Sequence, residues 1–233
     1  MTKPMLTKNT DKLRQEVAVH VAADSIVQGT YWNEESQKGC FIGCLAHSSD
    51  PSTSEITYGL PVIVQRIAEK IFEALPADDA KAFFAALPDA VGCDGKDLSK
   101  VGWQFLAAEL RSLPKQSVQI QTVIDPVIAG MDLLSVGEEW TAAADAVDAA
   151  RVAAAAAYAA DAVAAAYAAD AVAAVAAYAA DAVDAYAADA ADAVAAAAAY
   201  AAYAANAYAA VRLRQRNLLL HLISTAPVIE GYK

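Results

Sequence analysis

One stretch of the chain, from Glu138 to Ala226, contains neither glycine nor proline and is mostly alanine. Alanine is the strongest helix former, because it loses no side-chain entropy on entering a helix. With no helix breaker between Gly137 and Pro227, the stretch is predicted to be α-helical, and we call it the alanine-rich arm. One straight helix of this length would extend about 130 Å at about 1.5 Å per residue. The sequence therefore leaves two alternatives for the arm, a straight rod and a folded-back bundle.

The arm begins with a sequence pattern that is typical of a helix start. Ser135 followed three residues later by Glu138 is a capping-box pattern. Three closely spaced arginines lie near the other end of the arm. Cations interact favourably with the negative end of a helix dipole, so these arginines predict a helix C-terminus there. We therefore divide the chain into a compact multi-helix head of residues 1–136, an arm of residues 137–226 and a tail of residues 227–233.

Tyrosine, aspartate and valine recur along the arm at a spacing of eleven residues, as Tyr167 and Tyr178 illustrate. An eleven-residue repeat corresponds to about 3.67 residues per turn, so each residue type keeps to one stripe of the helix. Most aspartates share an acidic stripe, whereas alanine, valine and tyrosine form a smooth stripe that we expect to be covered by another helix. The predicted interface residues on the smooth stripe are Val172, Tyr178, Ala180, Val183, Ala191 and Val194.

The arm favours a structural or interaction function, in which a small head carries a device for self-association or partner binding. The predicted partner is a second copy of the chain or another protein. An ice- or surface-binding rod is an alternative, although the regular threonines expected of such a surface are absent. The longest aspartate-free run, from Ala193 to Val211, is long enough to span a membrane but too weakly apolar. No membrane contact is therefore expected.

The charge of the chain bears on its partners and its setting. The 233 residues have a net charge of −11 and a pI near 4.6. Eight aspartates and one arginine lie between Thr141 and Val211, so the arm supplies most of the negative charge. An acidic, alanine-rich helix stays in solution and does not attract nucleic acid. The N-terminal residues lack an apolar signal-peptide core and the three cysteines are an odd number, so we expect a cytoplasmic setting.

The head is predicted to be all-α, because its apolar residues recur with helical spacing and no segment alternates cleanly with the period of a strand. The expected helices cover about residues 11–27, 37–48, 58–75, 77–87, 98–113 and 117–134. The segment Val118–Ile128 alternates for a few residues, which leaves a strand there as an alternative. Six apolar residues between Leu213 and Ile223 are expected to pack on the head or on a partner.

Ligand-type side chains of the head concentrate in the segment QKGCFIGCLAHS, residues 37–48. On a helix, Cys40, Cys44 and His47 would share one face. Together with Cys93 they would supply four ligands of the kinds that zinc takes. The spacing is not that of a standard zinc finger, and cysteine is also a common buried residue. Zinc binding or thiol chemistry at these residues is therefore an alternative function.

A nucleophile pair of Cys44 and His47, oriented by a carboxylate of the Trp32–Glu35 segment, is a further alternative. No oxyanion loop, phosphate-binding loop or metalloprotease motif accompanies the pair, so enzymatic activity is not predicted. Trp32 is interpreted as the aromatic anchor of a solvated loop. His20 and His221 stand alone in the sequence and receive no role.

The order of segments along the chain resembles that of an uncharacterised family of bacterial and phage hypothetical proteins. The resemblance rests on Trp32-x-Glu34, then KGCFIGCLAHS, then YGLPVIVQRIAEKIFEALP, then the alanine-rich tract and an RQRNLLLHLI helix. It covers most of the chain. The resemblance implies no activity, because none is established for the family, and it assigns no role to any residue.

Overall fold

The structure is a computed structural model, and it describes residues 4–159, 169, 172, 173, 175, 176, 193 and 205–231. Within these residues the chain is mainly helical with one pair of two-residue strands, which confirms the predicted all-α class. The elements are α1 Thr10–Ala22, β1 Trp32–Asn33, β2 Lys38–Gly39, α2 Phe41–Ala46, α3 Ser52–Tyr58, α4 Val62–Ala74, α5 Ala77–Val91, α6 Val101–Arg111, α7 Val118–Val136, α8 Ala143–Ala159 and the C-terminal helix Ala205–Thr225. None of the described helices is long and apolar enough to cross a membrane.

The chain divides into two compact units. The terminal unit comprises Thr2–Val101 and Arg212–Lys233, and the middle unit comprises Met1 and Gly102–Val211. Residues 102–136 belong to the same unit as α8. The last residues of the arm belong instead with the N-terminal helices.

The core of the terminal unit explains why the end of the arm belongs to it. Phe41 of α2 lies at the centre, with its ring 5.2 Å from that of Phe83 and 5.4 Å from that of Phe84. Leu219 and Ile223 of the C-terminal helix are buried and line the same apolar cluster. Of the two predicted locations for this apolar segment, the structure shows packing on the protein's own N-terminal helices.

Between α1 and α2 the chain forms a short hairpin in place of the longer helix that the apolar spacing predicts. α1 ends at Ala22, and Asp24 takes the left-handed backbone conformation with a φ of 48°. Ile26 then pairs with Gly39, so the segment after α1 joins the two-stranded hairpin of β1 and β2. This pairing joins two residues that are distant in the sequence, so local apolar spacing does not predict it.

The arm does not begin at the predicted capping box. Ser135 lies in the last turn of α7, and Gly137 ends that helix in the left-handed conformation with a φ of 84°. The N–H of Gly137 donates to the carbonyl of Leu134 at 3.0 Å, and the N–H of Glu138 donates to the carbonyl of Leu133 at 2.9 Å. These two bonds form a Schellman C-cap. The glycine therefore ends α7 where the sequence pattern suggested a helix start.

The first arm helix, α8, has the two faces that the sequence predicted. Asp145 and Asp148 are exposed, and α8 packs on α7 through its small side chains. The buried residues of this face are Ala143, Val147, Ala150 and Ala154. The rest of the predicted continuous helix, with its eleven-residue repeat, lies largely outside the described residues.

Trp140, in the connection between α7 and α8, packs directly against the backbone of α7. A Cβ atom at Gly130 would overlap the indole ring of Trp140. Gly130 is itself buried in the middle of the helix, a position where glycine is otherwise unfavourable. The glycine is therefore required for the packing of the indole ring on the helix.

Replacing Gly130 with alanine should destabilise the middle unit, even though alanine is the better helix former by about 1 kcal/mol. The added methyl group must displace the indole ring, and overpacking of this kind costs about 1–3 kcal/mol. Urea unfolding measures the effect. Gln119→Ala, at an exposed position of α7, is the control and should change stability by less than about 0.5 kcal/mol. A Gly130→Ala protein at least as stable as the wild type would contradict this packing.

Candidate metal centre

Three ligand-type side chains from α1 and α2 meet beside the hairpin. Glu16 and His20 lie one turn apart on α1, and His47 is the C-cap residue of α2. Glu16 Oε1 lies 3.2 Å from His20 Nε2 and 2.8 Å from His47 Nε2. The two histidine Nε2 atoms are 3.2 Å apart. We call this convergence of one carboxylate oxygen and two imidazole nitrogens the Glu–His–His cluster.

The fold brings His47 to α1 through the turn that ends α2. His47 adopts the left-handed conformation with a φ of 50°, and its N–H donates to the carbonyl of Gly43 at 2.8 Å. Histidine enters this region more often than most residues other than glycine. α2 packs on α1, and His20 lies on the buried face of α1 together with Leu13 and Val17. The tight end of a short helix therefore sets the distance between the two imidazoles.

Ser25 hydrogen-bonds the ring of His20. Its Oγ lies 3.2 Å from the backbone carbonyl of His20 and 2.7 Å from His20 Nδ1. The hydroxyl can donate to Nδ1, and Nε2–H then donates to the Glu16 carboxylate. It can also donate to the carbonyl and accept from Nδ1–H, which leaves the Nε2 lone pair for a metal. Metal-binding histidines usually have such a second hydrogen bond.

Aromatic rings cover the buried side of the Glu–His–His cluster. Trp32 stacks on His47 with ring centroids 4.5 Å apart and 13° between the planes, and it meets His20 edge-on at 5.8 Å. The ring of Phe84 in α5 meets that of His20 edge-on, with the ring centroids 6.5 Å apart. The exposed fraction of the side chain rises from 6% at His20 to 23% at Glu16 and 47% at His47. The cluster therefore has a buried floor and one side open to solvent.

Burial also sets the charge of the groups around the cluster. Burial lowers the pKa of His20 below its ordinary value, although the Glu16 carboxylate acts in the opposite direction. Burial raises the pKa of Tyr58 to about 12, and the Glu16 carboxylate adds to that rise. Burial thus favours the neutral form of His20.

Two glycines allow the hairpin to lie close to α2. A Cβ atom at Gly39 or at Gly43 would overlap the carbonyl oxygen of Tyr31. The N–H of Cys40 also donates to the carbonyl of Thr30 at 2.7 Å. Because Trp32 follows Tyr31 directly, this close approach places its indole ring on His47.

The structure divides the ligand set of Cys40, Cys44, His47 and Cys93 that the sequence predicted. His47 joins the Glu–His–His cluster, whereas the buried thiol of Cys44 donates to the carbonyl of Gly39 at 3.2 Å. Cys93 is exposed, and among the described residues no group of three neighbouring ligand atoms combines a cysteine with His47. The reason is local, since Cys40 and His47 are the two caps of a six-residue helix and do not share a helical face.

The thiols of α2 are also in their unreactive form. Burial raises the pKa of Cys44 to about 12 and raises that of Cys40 as well, with the Glu69 carboxylate contributing at both. Both thiols are therefore protonated at neutral pH. Because the thiolate is the nucleophile and the metal ligand, the surroundings do not favour the nucleophile pair of Cys44 and His47.

A second group of ligand-type side chains consists of Cys40, Glu69 and Glu73. Backbone N–H groups already donate hydrogen bonds to both of its carboxyl groups. The N–H of Ile42 donates to Glu69 Oε2 at 2.9 Å, and the N–H of Gly29 donates to Glu73 Oε2 at 2.8 Å. Ile42 lies in the first turn of α2, where a negative group is favoured. This group therefore holds the start of α2 and the hairpin in place.

The buried carboxyl of Glu69 should make stability depend on pH. Burial raises the pKa of Glu69 above its ordinary value of 4.5, so the folded chain binds the proton more tightly than the unfolded chain does. The contribution of Glu69 to stability is then complete below about pH 4.5 and is lost as the pH rises through the folded-state pKa. Glu69→Gln removes this ionisation.

The free energy of unfolding of the wild type, minus that of Glu69→Gln, should therefore fall as the pH is raised from about 4 to about 8. Urea unfolding at several pH values measures this difference. The exposed substitution Glu35→Gln controls for the loss of one charge. A difference that rises with pH would show that the carboxylate form is the one stabilised.

Glu16, His20 and Ser25 were not assigned a role from the sequence. The four-residue spacing of Glu16 and His20 places them on one face of a helix, which was a usable signal. His20 and His47 are 27 positions apart, and no local pattern shows that they meet.

The predicted interface of the arm lies mostly outside the part of the chain that the structure describes. Val172 is described and is fully buried within the chain. The described residues do not include Tyr178, Ala180, Val183, Ala191 or Val194. Self-association or partner binding through the arm therefore stays a prediction.

Comparisons of the chain with protein-family models, with curated proteins and with solved structures found no match. The fold and the cluster together define a mainly all-α protein with two imidazoles and one carboxylate at a partly open site. Functional inference therefore starts from the residues and the geometry of this chain.

Proposed function

We propose that this protein binds a divalent transition-metal ion at the Glu–His–His cluster, with Glu16 Oε1, His20 Nε2 and His47 Nε2 as its ligands. The observation that carries the proposal is the convergence of these three atoms at mutual distances of 2.8–3.2 Å. Two imidazoles and one carboxylate are the ligands of some catalytic zinc sites, and other divalent transition metals accept the same donors.

The cluster suits either protons or a metal ion. Without a metal, Nε2–H of each histidine can donate to Glu16 Oε1, at 3.2 Å from His20 and 2.8 Å from His47. A bound cation takes the place of these two protons and accepts lone pairs from all three atoms. Ser25 Oγ then accepts from Nδ1–H of His20.

The distances within the cluster are those of adjacent ligands around a metal. With metal–ligand bonds of about 2.0–2.1 Å, adjacent ligands lie about 3.3 Å apart in a tetrahedral site and about 3.0 Å apart in an octahedral one. The distances of 2.8–3.2 Å therefore require only small side-chain shifts on binding.

The surroundings hold the ligands in place before the metal binds. Ser25 hydrogen-bonds the ring of His20, and Trp32 stacks on the ring of His47. Both restraints lower the side-chain entropy that metal binding would otherwise remove. The buried floor also strengthens the attraction between the ion and the Glu16 carboxylate, because the effective dielectric constant there is below that of water.

Zinc is the metal that the sequence pattern already suggested, but the ligands proposed here are different. Two of them, Glu16 and His20, lie on α1, and only His47 comes from the segment of residues 37–48. Among the described residues, no cysteine lies with His47 in a group of neighbouring ligand atoms, which supports this assignment.

The metal-free protein is expected to bind one Zn²⁺ or Co²⁺ ion per chain in isothermal titration calorimetry. Loss of a hydrogen bond behind a ligand weakens metal binding by about 10–100-fold, so removing a ligand itself should weaken binding by more than about 100-fold. Glu16→Gln, His20→Ala and His47→Ala test this. His221→Ala, which removes an exposed histidine of the C-terminal helix, is the matched control. Unchanged binding in the three ligand variants would contradict the proposal.

Ser25→Ala tests whether the tautomer of His20 contributes to the affinity. Loss of the Nδ1–H hydrogen bond should weaken zinc binding by about 10–100-fold while the stoichiometry stays at one ion per chain. Ser36→Ala, at an exposed position of the hairpin turn, is the control, and circular dichroism verifies that both variants are folded. Wild-type affinity in Ser25→Ala would contradict a contribution of the Nδ1–H hydrogen bond to metal binding.

A further inference from the structure

We infer that the metal at the Glu–His–His cluster keeps a coordination position open to solvent, and that this position takes a small anionic ligand with oxygen donors. The inference rests on the proposed function and adds a ligand class to it. It also gives the centre the character of a catalytic rather than a structural metal site, because structural zinc sites are closed by four protein ligands.

The number of protein ligands is the first support. Among the described residues, the group around His47 contains only Glu16 and His20 as further candidates. Zinc requires at least four ligands, and octahedral metals require six. At least one position is therefore left for a molecule that is not part of these side chains.

The direction of the open position follows from the exposure of the ligands. His20 is almost fully buried, and Trp32 and Phe84 cover the rings on the inner side. His47 is about half exposed, and Glu16 is partly exposed. A fourth ligand therefore approaches from the solvent side, past the ring of His47, and needs no opening of the core.

Charge selects an anion for this position. One carboxylate and two neutral imidazoles leave a divalent ion with a net charge of +1, so a singly charged anion makes the centre neutral. The carboxylate and hydroxamate groups are such anions, and each offers two oxygen atoms to the metal. A neutral amide of the same size brings no charge and should compete poorly with water.

The test uses Co²⁺ as the bound metal, because its visible absorption spectrum changes when its ligands change. The full chain with one Co²⁺ per molecule is titrated with acetohydroxamate, and acetamide is the neutral control. Cobalt content is measured again after gel filtration, which distinguishes a ligand that joins the metal from one that removes it. The His47→Ala variant reports the spectral change that acetohydroxamate gives without the intact cluster.

A saturable spectral change with acetohydroxamate, no change with acetamide and an unchanged cobalt content would support the inference. A cobalt spectrum that acetohydroxamate does not alter would overturn it and leave metal binding itself intact. Loss of cobalt on addition of acetohydroxamate would also count against it. A chain that binds no cobalt at all would overturn the proposed function.

Discussion

The carbonyl oxygen of Tyr31 lies against Gly39 of β2 and Gly43 of α2, two positions where the chain carries no side chain. This contact fixes the hairpin on α2, and through the hairpin it fixes the indole ring of Trp32 on His47. A methyl group at either glycine would push the hairpin away and separate the two rings. The geometry of the cluster thus depends on a close backbone approach, and the cysteines of the same segment contribute mainly by filling the core beneath it.

Burial and charge have opposite effects at the cluster. Burial favours the neutral form of His20, whereas the Glu16 carboxylate favours the protonated form. A metal ion at the cluster would replace the Nε2 protons that face Glu16, and it would link α1 to the end of α2. Metal binding should then stabilise the terminal unit by an amount that grows with the free metal concentration.

The sequence predicted those features of the fold that depend on local periodicity. The apolar stripe of α4, with Val64, Ile67 and Ile71 buried, and the two faces of α8 follow from residue spacing alone. The Glu–His–His cluster depends on tertiary contacts, which residue spacing does not predict. The left-handed backbone of His47 and the pairing of the segment after α1 with Gly39 both arise from tertiary packing. The segment of residues 37–48 supplies His47 to the cluster, but the other two residues come from α1.

Crystals of the zinc-loaded protein, measured on both sides of the zinc absorption edge, would locate the ion directly. We expect one anomalous peak about 2.0–2.1 Å from Glu16 Oε1, His20 Nε2 and His47 Nε2. Density for a further ligand should lie on the solvent side of that peak. A peak at Cys40 or Cys93 instead, or zinc-loaded crystals with no peak near His47, would contradict this expectation.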